Sequence, residues 1–308
     1  MSGHVIPDNT SIVTTDSSAT VQAPSGASDW LLWVTPGLIW GASFLFIAES
    51  LRAVEPNGLT FLRLLIGFSV LSVVPRARQP IRRADWGAVA LVSVLWMAFP
   101  LSMFPYAEQR VSSALTGMLN GATPLFTALV ASAMSRRLPA RGVVIGLAIG
   151  LAGVVMVAWP SLFEGRSSVV GVLLILVAVL SYGFATNLAR PVQERNGALP
   201  VIWRSQAISV ALTAPLGVPE ALRAQWDWSS LLSIVLLGAF GTAVAQVALL
   251  VAGGRIGPTR ASATTFLIPG VALLLGVLVR GERVAMLSVA GGAVCLLGAW
   301  MMRRPQSS

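Results

Sequence analysis

The chain has one cysteine, Cys295, one histidine, His4, and no lysine. A single cysteine excludes an intramolecular disulfide, and a lone histidine leaves no Cys/His set for a metal. Cys295 falls in an apolar stretch, where it reads as a small packing residue. No Gly-rich loop ends in Gly-Lys, so no nucleotide-cradling site, no cofactor and no direct ATP drive are expected. Charge is scarce: 11% of the residues, against about 25% in a soluble domain.

The charge that remains is unbalanced. All 21 basic residues are Arg, giving a net charge of +9. A nucleic-acid partner is not expected, because these arginines are scattered between apolar segments rather than gathered on one stripe. Residues 1–29 carry Asp8, Asp16 and Asp29 but no Arg, and are rich in Ser and Thr. They lack the basic start and apolar core of a secretory signal. They read as a disordered tail.

Apolar runs fill the rest: 55% of the 308 residues are hydrophobic. A bilayer core takes roughly 20 apolar residues of helix to cross. On that measure the spans are Trp30–Ala48, Asn57–Pro75, Trp86–Phe104, Ser113–Ser135 and Gly142–Pro160, then Val169–Ala189, Val201–Val218, Ser229–Ala252, Ala261–Val279 and Val284–Met302. An open strand edge is not viable in lipid, so the expected fold is all-α and integral to the membrane, with ten transmembrane helices. Arg76, Arg78, Arg82, Arg83, Arg136, Arg137 and Arg141 flank one face of the first half, and only Arg52, Arg110 and Arg166 the other. The excess predicts that both termini are cytoplasmic.

The second half echoes the first. Asp85-Trp86 is matched by Asp227-Trp228, Trp40-Gly41 by Tyr182-Gly183, and Pro124 by Pro269. Gly146 and Gly153 are matched by Gly291 and Gly298. The offsets run from 142 (Trp86 to Trp228) to 145 (Pro124 to Pro269). The organisation is therefore a repeat over 30–160, a second over 161–302 and a short cytoplasmic tail over 303–308. Five spans per repeat is an odd number, so the two repeats must be inverted. Inverted repeats are a common carrier architecture with a site at the midplane.

The ordered set of motifs carries a resemblance. Trp40-Gly41-Ala42-Ser43-Phe44, Phe61-Leu62-Arg63, the stretch from Ala107 to Pro124-Leu125-Phe126, and Pro269 followed by Gly281-Glu282-Arg283 resemble an EamA-type transporter of the drug/metabolite transporter superfamily. The resemblance implies ten helices, cytoplasmic termini and export of metabolites or amino-acid-like compounds. An acidic residue often follows the fourth span in that family. Ser135-Arg136-Arg137 lacks it here, whereas Glu282 keeps it after the ninth.

Polar residues inside spans are the candidate site. Arg63 lies about six residues, or roughly 9 Å, inside its span. It reads either as an anchor for an anionic substrate group or as an ion-pair partner of Glu49, Glu55 or Glu108. Its repeat counterpart is Gln206. Arg204 reads as an arginine reaching the cytoplasmic interface. Trp40, Tyr182 and Trp96 fall near mid-span, where an aromatic with a polar tip lines a cavity or bonds a neighbouring helix. Asn120, Gln246 and Asn187 need partners in lipid, while Ser43 and Thr265 can bond their own helices. The substrate-binding set is therefore Trp40, Ser43, Arg63, Trp96, Asn120, Tyr182 and Gln246. Pro124 and Pro269 are hinge candidates. Gly142, Gly146 and Gly150 form a small-residue ladder for close packing, between spans five and ten or between two copies in a homodimer.

The expected function is secondary transport: export of a small amino-acid-like or amphipathic metabolite across the cytoplasmic (inner) membrane by alternating access. No Asp or Glu lies mid-span, which leans toward facilitated rather than proton-coupled movement. The alternative is an integral-membrane enzyme acting on a lipid-linked substrate. That chemistry needs convergent His, Asp, Glu or Cys, which this sequence does not supply.

Overall fold

The computed structural model describes residues 27–136, 139–163 and 165–302. His4 and most of the expected N-terminal tail, the expected tail at 303–308, and Arg137 lie outside them. Helix α1 spans Ala27–Ser50 and α2 spans Pro56–Ser72. They are followed by α3 (Arg83–Glu108) and α4 (Ser113–Ser135), then α5 (Arg141–Ala158). The second half holds α6 (Arg166–Asn196), α7 (Ala198–Leu222), α8 (Trp228–Ile256), α9 (Ser262–Arg280) and α10 (Met286–Met301). Among the described residues there is no strand. Seven helices, α1, α3, α4, α5, α6, α8 and α9, are long and apolar enough to cross a membrane; α2 and α10 are shorter apolar helices.

Several expected boundaries move. The helix starts at Ala27, so the tail ends before residue 29, and Asp29 on its first turn meets Arg255 at 3.3 Å. Helix α3 continues past Phe104 to Glu108. Helix α6 runs on from Ala189 to Asn196, carrying Pro191 inside it. Its last turn is anchored: Arg195 Nη2 meets Asp85 Oδ1 at 2.6 Å, and Asn196 Nδ2 donates to Asp85 Oδ2 at 2.8 Å. Gly197, at φ 82°, then turns the chain into α7.

Two features have no sequence signature. Helix α3 loosens into a π-helical segment at Val94–Ala98, and α8 does so at Leu237–Val244. These are matching positions of the two halves. Such segments free backbone carbonyls and are common at functional sites.

Equivalent helices pack on each other. Helices α5 and α10 run antiparallel in close contact. A Cβ on Gly153 would lie 2.3 Å from Cys295 N, and one on Gly298 would lie 2.3 Å from Gly150 N. Ser288 Oγ donates to the Val157 carbonyl at 2.9 Å in the same seam. Gly146 and Gly153 thus serve the α5–α10 contact, Gly150 also makes room for Leu125 of α4, and buried Cys295 packs inside the seam. Helices α2 and α7 are likewise antiparallel. Gly58 N meets Glu220 Oε2 at 2.8 Å at one end, and Trp203 Nε1 donates to Ser72 Oγ at 2.8 Å at the other.

The remaining helices exchange partners between halves. Gly41 of α1 lets that helix close on Ile268 and Val271 of α9, and Gly183 of α6 does the same against Phe126 and Val130 of α4. At the end of the bundle where the described chain begins and ends, the terminal end, Arg195 pairs with Asp85. At the far end Arg52 approaches Asp227 at 3.7 Å.

Candidate substrate chamber

The exchanged helices leave a central cavity of about 560 Å³, within the usual range for small-molecule sites. Its wall includes Trp40 and Ser43 from α1, Arg63 from α2, Trp96 from α3, Asn120 from α4, Tyr182 from α6 and Gln246 from α8. All seven residues singled out in the sequence therefore share one space. Pro124 lines it as well, and Pro269 does not; Pro269 packs instead where a Cβ on Gly121 would stand.

The π-helical segments shape this wall. Trp96 sits on the one in α3, and Gly241 and Thr242 on the one in α8. Trp40 Nε1 donates to the Gly241 carbonyl at 3.0 Å. In the opposite half Ser181 Oγ donates to the Leu95 carbonyl at 2.7 Å. Each loosened segment is thus held by the first helix of the other half. Gln206, fully buried, donates to the Thr242 carbonyl at 2.7 Å.

Arg63 is 5% exposed and lies on the wall. Its Nε reaches Thr242 Oγ1 at 3.4 Å, a long contact to a neutral group. The expected ion pair with Glu49, Glu55 or Glu108 is absent. Glu49 is taken by Arg52 and Arg280. Both oxygens of Glu108 are buried without a hydrogen-bond partner. The direction of the side chain depends on helix rotation, which spacing alone does not fix. Among the described residues no Asp or Glu is on the wall.

Other candidates serve packing. Asn187 Nδ2 donates to the carbonyls of Thr127 and Gly183, at 3.1 and 2.8 Å, binding α6 to α4. Ser43 and Thr265 bond carbonyls of their own helices, Ile39 and Ser262. Arg204 does not reach out freely. It is 9% exposed, lies over the Trp203 and Trp86 rings at 5.3 and 5.8 Å, and donates to the Pro200 carbonyl. Wall residues that sequence reasoning missed include Thr123, Thr127, Thr186 and Thr242. Small hydroxyl side chains inside apolar runs give no signal of their own. For Thr242, neighbouring Gly241 at mid-span was the available hint.

The cavity reaches the terminal end. Ser262, Ala299, Met302 and exposed Thr186 lie on its wall there. None of the far-end connections, 51–55, 109–112, 223–227 or 281–285, touches it. The far end is bonded shut between halves. Arg280 links Glu49 and Glu282 at 3.4 and 3.2 Å. Glu282 then accepts from Ser113 N, Ser113 Oγ and Ala114 N at 3.1, 2.8 and 2.9 Å, capping α4 from the other half. A carboxylate at a helix N-terminus satisfies free N–H groups and complements the dipole. The acidic residue that follows the ninth span is therefore a cap.

Comparison with known proteins places this architecture. The model of the EamA-like transporter family matches residues 29–159 and again 169–304. The chain is 28% identical over 261 residues to the inner membrane transporter YedA of Escherichia coli, covering 80% of each protein. It is 24% identical to a probable terminal-alkyne amino-acid exporter of Streptantibioticus cattleyicolor, covering 89% of this chain and 93% of that one. A solved structure 20% identical to it superposes with a TM-score of 0.60 over 90% of this chain and 97% of that one, and shows a shared fold.

Proposed function

The chain belongs to the EamA-like transporter family, and on that premise we propose that it is a secondary carrier exporting a small amino-acid-like or amphipathic metabolite across the cytoplasmic membrane by alternating access. All ten helices cross the bilayer as two inverted five-helix repeats, residues 30–160 and 161–302, with both termini cytoplasmic. The pairing of equivalent groups at opposite ends supports the inversion. Arg195 meets Asp85 at the terminal end, and their repeat counterparts Arg52 and Asp227 meet at the far end.

One observation carries the reading: the seven span residues picked for their polarity or aromatic character line a single chamber between the halves. Trp40, Ser43, Arg63, Trp96, Asn120, Tyr182 and Gln246 contact the substrate. Pro124 and Pro269 are the hinge pair, Pro124 on the chamber wall and Pro269 packed on α4 where Gly121 admits its ring. The chamber is reachable from the cytoplasmic side, as loading for export requires. A wall without a carboxylate favours facilitated movement. The α5 glycine face is occupied by α10, so a homodimer would use another face. Among the described residues no cluster of His, Cys, Asp or Glu could hold a metal, and the chamber offers no nucleophile–base pair, which weighs against a lipid-modifying enzyme.

The test is a metabolite comparison of cells with and without the protein, followed by reconstitution with whichever compound differs. Substrate-dependent, saturable flux in liposomes is expected. Turnover of a lipid without any flux would replace this reading with the enzyme.

A further inference from the structure

We propose that the chamber selects organic anions: a cargo whose carboxylate pairs with Arg63 and whose apolar body lies among Trp40, Phe44, Trp96, Phe104 and Tyr182. The proposal rests on the chamber being the transport site and names the class of molecule it takes.

The argument begins with an unmet charge. A guanidinium stays protonated and presents five N–H donors in a planar fork. Arg63 as a residue is 5% exposed on the wall, and among the described residues its guanidinium has one hydrogen bond to protein, from Nε at 3.4 Å. A buried charge without a counter-ion is costly. The protein holds two carboxylates in the same region, and neither meets Arg63. Glu282 is occupied by Ser113, Ala114 and Arg280. The Glu108 oxygens are sealed away, bonded to nothing, and do not pair with Arg63. The chamber is the open space from which an anion can pair directly with the guanidinium.

The rest of the wall sets the remainder of the cargo. With no Asp or Glu among the described residues on the wall, an organic cation meets the repulsion of Arg63 without an opposite charge beside it. Five aromatic rings on the wall give an aryl or alkyl chain a large apolar surface to pack against. Carboxylate and guanidinium match in a two-bond fork, so the anion is oriented as well as attracted.

Equilibrium binding to the detergent-purified full-length protein tests this with three probes that share one ring: phenylacetate, phenylacetamide and phenethylamine. Phenylacetate is expected to bind at least about ten-fold more tightly than the other two, as a charge-assisted hydrogen bond would give. Arg63→Gln should erase that difference, and Arg63→Lys should keep part of it. Equal or tighter binding of phenylacetamide or phenethylamine to the wild type would overturn the anion proposal and leave the transport reading standing. Absence of saturable binding by all three would also overturn it, and the transport reading would fall only if the metabolite comparison were silent too. Should Arg63→Gln not fold, the wild-type series and Arg63→Lys decide the matter.

Discussion

Arg195 of α6 meets Asp85 at 2.6 Å, tying the last turn of one half to the entry of α3 in the other. The counterpart contact, Arg52 to Asp227, sits at the opposite end of the bundle. Asp227 also caps α8: its carboxylate accepts from Ser230 N at 2.8 Å and from Ser229 Oγ at 2.8 Å. These bonds, the backbone one foremost, with Arg52 alongside, hold its carboxyl below the ordinary carboxylate range.

A depressed value in the folded state means that Asp227 stabilises the fold above the unfolded carboxylate value of about 3.9. That contribution is lost as pH falls through the lower folded value. Asp227→Ala should therefore lower the melting temperature at neutral pH. The gap between wild type and variant should close on acidification below about pH 4. A gap that stays constant with pH would show that the carboxylate charge is not what stabilises this corner.

Trp40→Ala and Tyr182→Ala should lower transport while folded protein is retained. Trp40→Phe separates two roles. It keeps the ring on the chamber wall but loses the bond to the Gly241 carbonyl, a contact worth about 1 kcal/mol. Wild-type flux in both alanine variants would remove these rings from the site.

Glycine substitutions divide by location. Gly298→Leu forces side-chain atoms into the α5 backbone, where a Cβ alone already stands 2.3 Å from Gly150 N. Overpacking of this kind costs about 1–3 kcal/mol or more, and loss of the folded monodisperse peak in detergent is expected. Gly146→Leu should do the same, since its Cβ would lie 2.7 Å from the Gly298 carbonyl oxygen. Gly270→Ala, with nothing within 4 Å of the new Cβ, should be tolerated. Equal behaviour of the two classes in a thermal-stability assay would contradict the α5–α10 seam.

Glu108 carries the opposite expectation. Its carboxylate oxygens are buried and bonded to nothing, so the fold is held against a desolvation cost. Glu108→Met should raise stability by about 1–3 kcal/mol. A fall in melting temperature instead would mean that the carboxylate has a partner in solution. A group kept at that cost invites a parallel flux measurement on the same variant.

Seven of the helices were legible as membrane-crossing lengths because apolar runs of about twenty residues stand out, and the two family-model matches because their motifs keep one order. The extra turns of α6 were not, since Arg190, Pro191, Glu194 and Arg195 look like a loop until Asp85 is seen to anchor them. The π-helical segments at Val94–Ala98 and Leu237–Val244 escaped notice because a loosened turn leaves the apolar pattern unchanged. The chamber residues stood out wherever a polar or aromatic side chain broke an apolar run. The partner of Arg63 was misjudged because Glu49 has two nearer claimants, Arg52 and Arg280.

Glu282 has no acidic twin in the first repeat, where Ser135 and Arg136 occupy the corresponding stretch. One end of the bundle is consequently latched by a carboxylate on a helix tip, whereas the other is tied by Asp85 with Arg195 and Asn196. The chamber accordingly lies open toward the end where the described chain begins and ends, and three hydrogen bonds at a single side chain hold the opposite end together.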